Sequence, residues 1–489
     1  MKRRIALVAA AALSCGACAR RAPAPPKGSL VACEIPPAGS VPAAGVVLDT
    51  RYPPGSRVVL VSPPFGPGDR RLLSRGLLAA GQPSISPDGR RVVFAGKASA
   101  EAEWQVYDAS LSGAMPVPLT GMAGGASSPA LLADGTLVLA SPVPRAADGW
   151  YPARPAAIWA KPSDGAPAHR LGFGSASVAD LSVLADGRIL FVSAQPRGSG
   201  RSPRLSLFAV NNDGTGVSAY ACQDEGAPVV GRPRELPDGR VAFVASAEAL
   251  PEGSGRAESV LSARPWKSRS SFLPEEIGSV RAVEPGADGT LLVTARRSGT
   301  LAETGQFALR RLGPGEELTL EIAAPDAGWS IVEAVPLAPR ARIPMGRLST
   351  VDPKVRTGTL LCLDANRTSP GDDATPAVKV RILTNGANGS VPLGEVPLSG
   401  DGSFLAEVPA DVPLGVEAVD AAGRVVRTLT PWIWLRPGEN RACIGCHEQR
   451  GLAPRNRRPL AVKSLPVPVG GAAALPAGEE GKKPSGGGT

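Results

Sequence analysis

Histidine is almost missing from this chain: His169 and His447 are the only two in 489 residues. A His-rich metal centre is thereby excluded, and a conventional Ser-His-Asp triad has little to be built from. Aromatic residues make up only 4% of the sequence, and the basic cluster has none interleaved with it. Nucleic acid is therefore not expected as a partner. No glycine-rich loop stands in a strand-to-helix setting, which removes the usual nucleotide cofactors. The apolar run at residues 5–13 is too short to cross a bilayer. What the chain has in quantity is glycine and proline, 58 and 51 residues. That is high for a helical protein and short of a disordered one, so the expectation is a turn-rich, all-β chain. Its length exceeds a single core and asks for two domains or one large repetitive one.

Lys2, Arg3 and Arg4 precede the short apolar run, which is the layout of an export signal. Cys15-Gly16-Ala17-Cys18 follows and resembles a bacterial lipobox, with Cys15 standing where leucine is usual. Residues 1–17 are thus expected to leave as a signal peptide, with Cys18 acylated; plain secretion is the alternative. Residues 18–44, with Pro23, Pro25 and Pro26, read as a semi-rigid tether. The mature chain is placed on the periplasmic side of a bacterial membrane, lipid-anchored, with the outer membrane as the expected surface. The formal charge of +9 falls by three when the signal leaves.

Repeats organise the next three hundred residues. Asp-Gly recurs at Asp88, Asp134, Asp186, Asp238 and Asp288, about 46 to 52 residues apart, each time before an apolar run such as Ile189-Leu190-Phe191-Val192. Both positions of Asp-Gly tolerate positive φ, so each pair marks a hairpin, and further strands complete a four-stranded unit. Such a sheet cannot bury both faces alone, and units of this period stack radially around an axis. The expectation for residues 45–350 is a six-bladed β-propeller, with seven blades as the alternative. The sixth blade combines residues 329–335 with N-terminal strands near 46–49 and 57–62, which closes the ring and hides its edges. The aspartates read as turn residues rather than a calcium or catalytic array.

Residues 351–464 change pattern. Short alternating runs at 358–363, 378–383, 393–396, 403–408, 415–419 and 425–429 are split by turns such as Asn385-Gly386 and Asp401-Gly402. A small β-sandwich-like domain is expected. Trp432 and Trp434 either wall a bound group or plug that sandwich. The acidic loop 364–373 lacks the spacing of a dedicated calcium site. Residues 465–489, rich in Gly, Ala and Pro, read as a disordered tail.

The domain ends in Cys443-Ile444-Gly445-Cys446-His447, the C-x-x-C-H attachment signature of a c-type haem. Two thiols three residues apart reach the two vinyl groups of one porphyrin, and the adjoining imidazole reaches its iron. Cys443 and Cys446 are the thioether candidates, His447 the proximal iron ligand, and one covalent haem c the expected cofactor. Met345, in the linker between domains, is the candidate distal ligand, while His169, Met115 and Met122 read as ordinary side chains. Of the remaining cysteines, Cys33 and Cys222 are candidates for a disulfide, and Cys362 reads as a buried strand residue. Seven basic residues (Arg436, Arg441, Arg450, Arg455, Arg457, Arg458 and Lys463) face two acidic ones between positions 436 and 463. This collar either pairs with haem propionates, steers an acidic redox partner, or is a solvated surface.

Three resemblances follow. Ser86-Pro87-Asp88-Gly89-Arg90 resembles the repeats of TolB-like propellers, and Asp401-Gly402-Ser403-Phe404 with Asp420-Ala421-Ala422-Gly423 resembles sandwiches of the carboxypeptidase-regulatory or transthyretin type. The run from Trp432 through Cys443 and His447 to Asn456-Arg457-Arg458-Pro459 resembles the middle domain of the hydrazine synthase alpha subunit and its relatives. That family implies an exported propeller followed by a β domain with one c-type haem. Its synthase members continue into a further domain with a second haem and use a tyrosine oxygen just beyond the motif, whereas residues 448–455 contain no Tyr. The resemblance thus implies architecture more firmly than reaction.

The expected role is a membrane-tethered monohaem cytochrome, or the haem subunit of a redox complex, passing electrons to a partner protein that the propeller docks. One alternative is a haem enzyme acting on small nitrogen or oxygen species at an open iron position. The other is a binding or assembly propeller with a structural haem.

Overall fold

In a computed structural model, each of the five Asp-Gly dipeptides closes a hairpin between a blade's first two strands. The structure describes residues 24–37, 47–143, 155–195, 204–221, 228–247, 254–296, 306–368 (without 316, 325, 341 and 343), 374–386, 389–428, 432–445 and 457–470. The turn chemistry is uniform. An oxygen of Asp88, Asp134, Asp186, Asp238 and Asp288 accepts the backbone N–H two residues on, at 2.9 to 3.3 Å, and the following glycine sits at φ between 75° and 85°. These aspartates are turn residues, and among the described residues no group of three or more metal-ligating side chains converges.

Eight four-stranded sheets are present. Six of them form a ring. Their inner strands Ala79–Ile85, Ser127–Leu131, Val178–Val183, Val229–Glu235, Ser279–Pro285 and Ser330–Pro336 pack each against the next, and the last returns to the first. The second strand of each Asp-Gly blade is an almost unbroken apolar run, as in Val92–Lys97 and Ile189–Gln195. Alternation is absent because each blade is covered by a neighbour on both faces. Phe94, Phe191 and Phe243 are fully buried there.

The closing blade, which is blade one with the others following in chain order, joins the two ends of the propeller. Ser330–Pro336 pairs antiparallel with Leu30–Ile35, which pairs with Arg57–Val61, and Arg70–Leu72 forms the outer edge. Two expectations need correction. Leu30–Ile35 lies in the segment read as tether, yet it is a buried strand of this blade. Residues 46–49 were expected to be a strand, whereas Val47–Arg51 is a short helix. Its β-branched residues favour a strand, but docking wins, because the helix delivers Arg51 and Tyr52 to the propeller axis.

The axis is polar and built from one residue per blade. Each inner strand shifts register near its middle. In three successive blades the shift places Gln82, Ser128 and Asp180 at φ of 50° to 56°. Such backbone costs about 1 kcal/mol or more per residue and persists only when its surroundings hold it. A chain of hydrogen bonds does so: the N–H of Gln82 donates to Glu333 Oε2 at 3.1 Å, that of Ser128 to Gln82 Oε1 at 2.8 Å, and that of Asp180 to Ser128 Oγ at 3.0 Å. Arg51 pairs with Asp180 at 2.9 Å, Arg232 with Glu333 at 2.9 Å, and the Tyr52 hydroxyl donates to Glu333. Burial, then the Glu333 carboxylate, push the Tyr52 phenol well above its usual range. Burial also opposes ionisation of Asp180, but Arg51 and Arg232 outweigh it and hold that carboxyl below the ordinary range. Cys33, also buried, donates its thiol to the Ala80 carbonyl at 3.5 Å.

The remaining two sheets form the second β domain. One runs Gly389–Pro397, Lys379–Gly386, Gly415–Val419, Val425–Thr428, all antiparallel. The other runs Asn440–Cys443, Thr357–Cys362, Phe404–Pro409, Val467–Pro468, with parallel pairs at both edges. Val467–Pro468 is a further correction, since residues from 465 on were expected to be disordered. One apolar core continues from the third and fourth blades into this domain, so the two are packed as a unit.

Candidate functional site

The haem signature begins on a strand that the sandwich holds from one side. Asn440–Cys443 lies parallel to Thr357–Cys362 with Cys443 opposite Cys362, and Leu363 N–H donates to the Cys443 carbonyl at 2.9 Å. Cys362 is buried, as its apolar run led us to expect, while Cys443 is half-buried. The chain then passes close to the turn at Asp364–Arg367. A Cβ on Gly445 would stand 2.6 Å from the Arg367 carbonyl, so this position of the signature admits only glycine. Cys446 and His447 lie outside the described residues, as does Cys18.

Beside Ile444 is a crevice lined by Leu363, Asp364, Arg367, Arg457 and Pro459. Apolar side chains flank a thiol-bearing strand there, and two guanidinium groups stand at its rim. This donor set fits a porphyrin, with sulfur for its vinyl carbons, cations for its propionates and an imidazole next in sequence. Asp364 accepts the N–H of Asn366 at 3.1 Å and so shapes the turn. Arg457 donates to the Asp401 carbonyl at 2.9 Å. At Asp401 burial opposes ionisation, but the Ser403 hydroxyl and the Leu460 and Ser403 N–H groups hold the carboxyl below its usual range.

The basic collar divides. Arg436 is spent on the domain junction: it pairs with Asp411 of the sandwich at 2.7 Å, donates to the Asp213 carbonyl of the propeller at 2.8 Å, and lies over the Phe173 ring. Arg441 donates to the Val217 carbonyl. Arg457, Arg458 and Lys463 are exposed, and Arg450 and Arg455 lie outside the described residues.

What sequence reading missed is the loop that receives this segment. In the fourth blade, residues 211–216 meet the haem-bearing chain at several points. Trp434 Nε1 donates to the Gly214 carbonyl at 2.9 Å, and Gly216 N–H donates to Glu439 Oε1 at 2.9 Å. Glu439 Oε2 also accepts the N–H of Arg436 at 2.8 Å, so one buried carboxylate staples the turn before Cys443 to the propeller. Trp434 therefore joins the two domains as well as filling the apolar core that the sandwich shares with the blades. The visible signal was an Asp213-Gly214 pair out of phase with the other five. We expect Trp434→Phe to cost about 1–2 kcal/mol, the price of leaving a buried carbonyl unpaired. A thermal melt unchanged within error would show that this bond holds nothing.

Other candidates lie elsewhere. Met345 is placed with its carbonyl against Gly187 of the fourth blade and its side chain about three-quarters exposed (76%). His169 is on the edge strand of the third blade, exposed. Cys222 lies outside the described residues.

A ring of six sheets joined to a β-sandwich whose edge strand ends at Cys443, the first residue of the signature, defines the class of protein. Within it, residues 366–448 match the hydrazine synthase alpha subunit middle domain. Among solved structures, the chain is similar to Kuenenia stuttgartiensis hydrazine synthase at 18% identity, with a TM-score of 0.75, over 90% of this chain and 72% of that one. The resemblance read around Cys443 thus holds for the middle domain and extends, as fold, to the propeller. TolB from Acinetobacter baumannii is similar at 11% identity and a TM-score of 0.44, over 64% of this chain and 67% of that one. The putative TolB from Agrobacterium tumefaciens stands at 13% and 0.39, over 64% and 99%. No curated protein matches the chain.

Proposed function

We propose that this chain is an exported haem protein of the hydrazine synthase alpha type, acting on small nitrogen or oxygen species. The observation that carries this reading is the match of residues 366–448, which runs from the Asn366 turn through both cysteines and His447. Haem, when bound, would supply a redox-active iron able to take a small ligand. Cys443 and Cys446 would hold the ring, His447 would bind the iron, and Arg367 and Arg457 would pair with its carboxylates. Trp434 and Glu439 fix the strand that carries Cys443, so the propeller acts as a rigid base for the haem edge. Cys18 would tether the assembly to a periplasmic membrane face.

A monohaem electron carrier is the second reading, supported by the exposed Arg457, Arg458 and Lys463, which suit an acidic redox partner. The two differ in the sixth iron ligand. The enzyme reading expects ferrous protein that is five-coordinate and high-spin and takes CO or NO stoichiometrically in a spectral titration. Six-coordinate, low-spin iron inert to CO would overturn it and favour the carrier, with Met345 as the ligand to replace next.

A further inference from the structure

On the face where the inner strands end, the propeller axis widens into a cavity of about 300 Å³. Five of the six blades and Ala338, Pro339, Arg340, Arg342 and Pro344 of the interdomain linker form its wall. The volume is at the lower end for small-molecule pockets and equals that of about ten waters. Ile85, Val183 and Leu236 contribute apolar surface. The charged lining is Arg234, Arg340 and Arg342 against Glu235 and Glu284, which leaves one positive charge.

The partners of these groups decide which charge is available. Glu284 is buried and takes Arg234 Nε at 2.6 Å. Glu235 accepts the Ala185 N–H at 2.5 Å. Arg340 is fixed by its own N–H to the Pro87 carbonyl at 2.9 Å and by Nη1 to the Val183 carbonyl at 3.0 Å, with no ion pair among the described residues. Burial, then the neighbouring Arg234 cation, pull Arg340 below its usual range, and the fields of Glu284 and Glu235 offset this only in part.

We propose that this axial cavity binds a small organic monocarboxylate, whose carboxylate pairs with Arg340 and whose apolar remainder packs on Ile85, Val183 and Leu236. A monoanion matches the single excess charge. A dianion would stand close to Glu235 and Glu284 and be repelled. Guanidinium forks suit a planar carboxylate.

The test is a titration of the full-length, haem-loaded protein with 4-fluorobenzoate, read by fluorine NMR and by the visible spectrum. Saturable one-to-one binding without a spectral shift is expected. Arg340→Gln should weaken it about tenfold or more, the worth of a charge-assisted hydrogen bond. Ala287→Trp, at an exposed rim position, should weaken it similarly by closing the mouth with no change of charge. Melting temperatures close to wild type would show that both variants fold. The assignment is overturned if wild type shows no saturable binding, if both folded variants bind as wild type does, or if benzoate perturbs the haem spectrum. Tighter binding of inorganic phosphate than of benzoate would overturn the monocarboxylate class.

Discussion

Protein with serine at both Cys443 and Cys446 is expected to leave cells that possess cytochrome maturation machinery folded and without covalent haem. Thioether bonds need sulfur, and the two other thiols among the described residues are both buried. Cys362, directly opposite Cys443 across the parallel pair, is buried with about 1% of its surface exposed. Cys33 sits by the propeller axis. Serine preserves the backbone ladder to Thr357–Cys362 and the Leu363 hydrogen bond, so the sheet should survive. The expected result is loss of the Soret band that remains with wild type after denaturation and solvent extraction, together with loss of the haem mass increment. His447→Ala should differ: covalent haem is expected to be retained and the spectrum to change, because on the haem reading that residue would hold the iron and not the ring. If the double variant keeps the mass increment, or wild type never acquires it, the haem reading is wrong.

Much of this architecture was legible because it repeats. Asp-Gly before an apolar run five times over is a local signal, and its consequence, a hairpin between two strands buried on both faces, follows from turn geometry and from the absence of alternation. The sandwich strands likewise fell within a few residues of expectation, for example 403–408 against Phe404–Pro409. Leu30–Ile35 escaped because prolines flank it on both sides and its only partners are about thirty and three hundred residues away. The 211–216 loop escaped for a related reason. Its turn residues declare a turn, whereas its value lies in reaching Trp434 and Glu439 more than two hundred positions later. Cys443 was found because its motif is contiguous, and Arg457 because it lies in the basic run beside it; Arg367 stands far from both in sequence and gave no local signal.

The axial residues were the least visible, and one of them should be the most costly to remove. Glu333→Ala is expected to destabilise the propeller by about 3–5 kcal/mol, the usual effect of deleting one partner of a buried ion pair. Its carboxylate, 4% exposed with its residue, pairs with Arg232 and accepts from Tyr52 and from the Gln82 backbone. Alanine leaves all three donors buried at the axis without the carboxylate that accepted from them. It also removes the first link of the chain through Gln82 and Ser128 to Asp180, so the left-handed Gln82 loses the acceptor that offsets its strain. Against a total stability of about 5–15 kcal/mol, this is a large fraction. Trp104, buried beside Tyr52 with ring centroids 6.1 Å apart, reports on the region through its fluorescence in a denaturant titration of haem-free protein. Glu333→Gln should cost less, since one amide oxygen still serves Tyr52 or Gln82 while the Arg232 cation goes unmatched. The order wild type, Gln, Ala is the discriminating outcome. An alanine variant within about 1 kcal/mol of wild type would mean that the axis relaxes or admits water freely, and that the ring is held by its apolar blade faces alone.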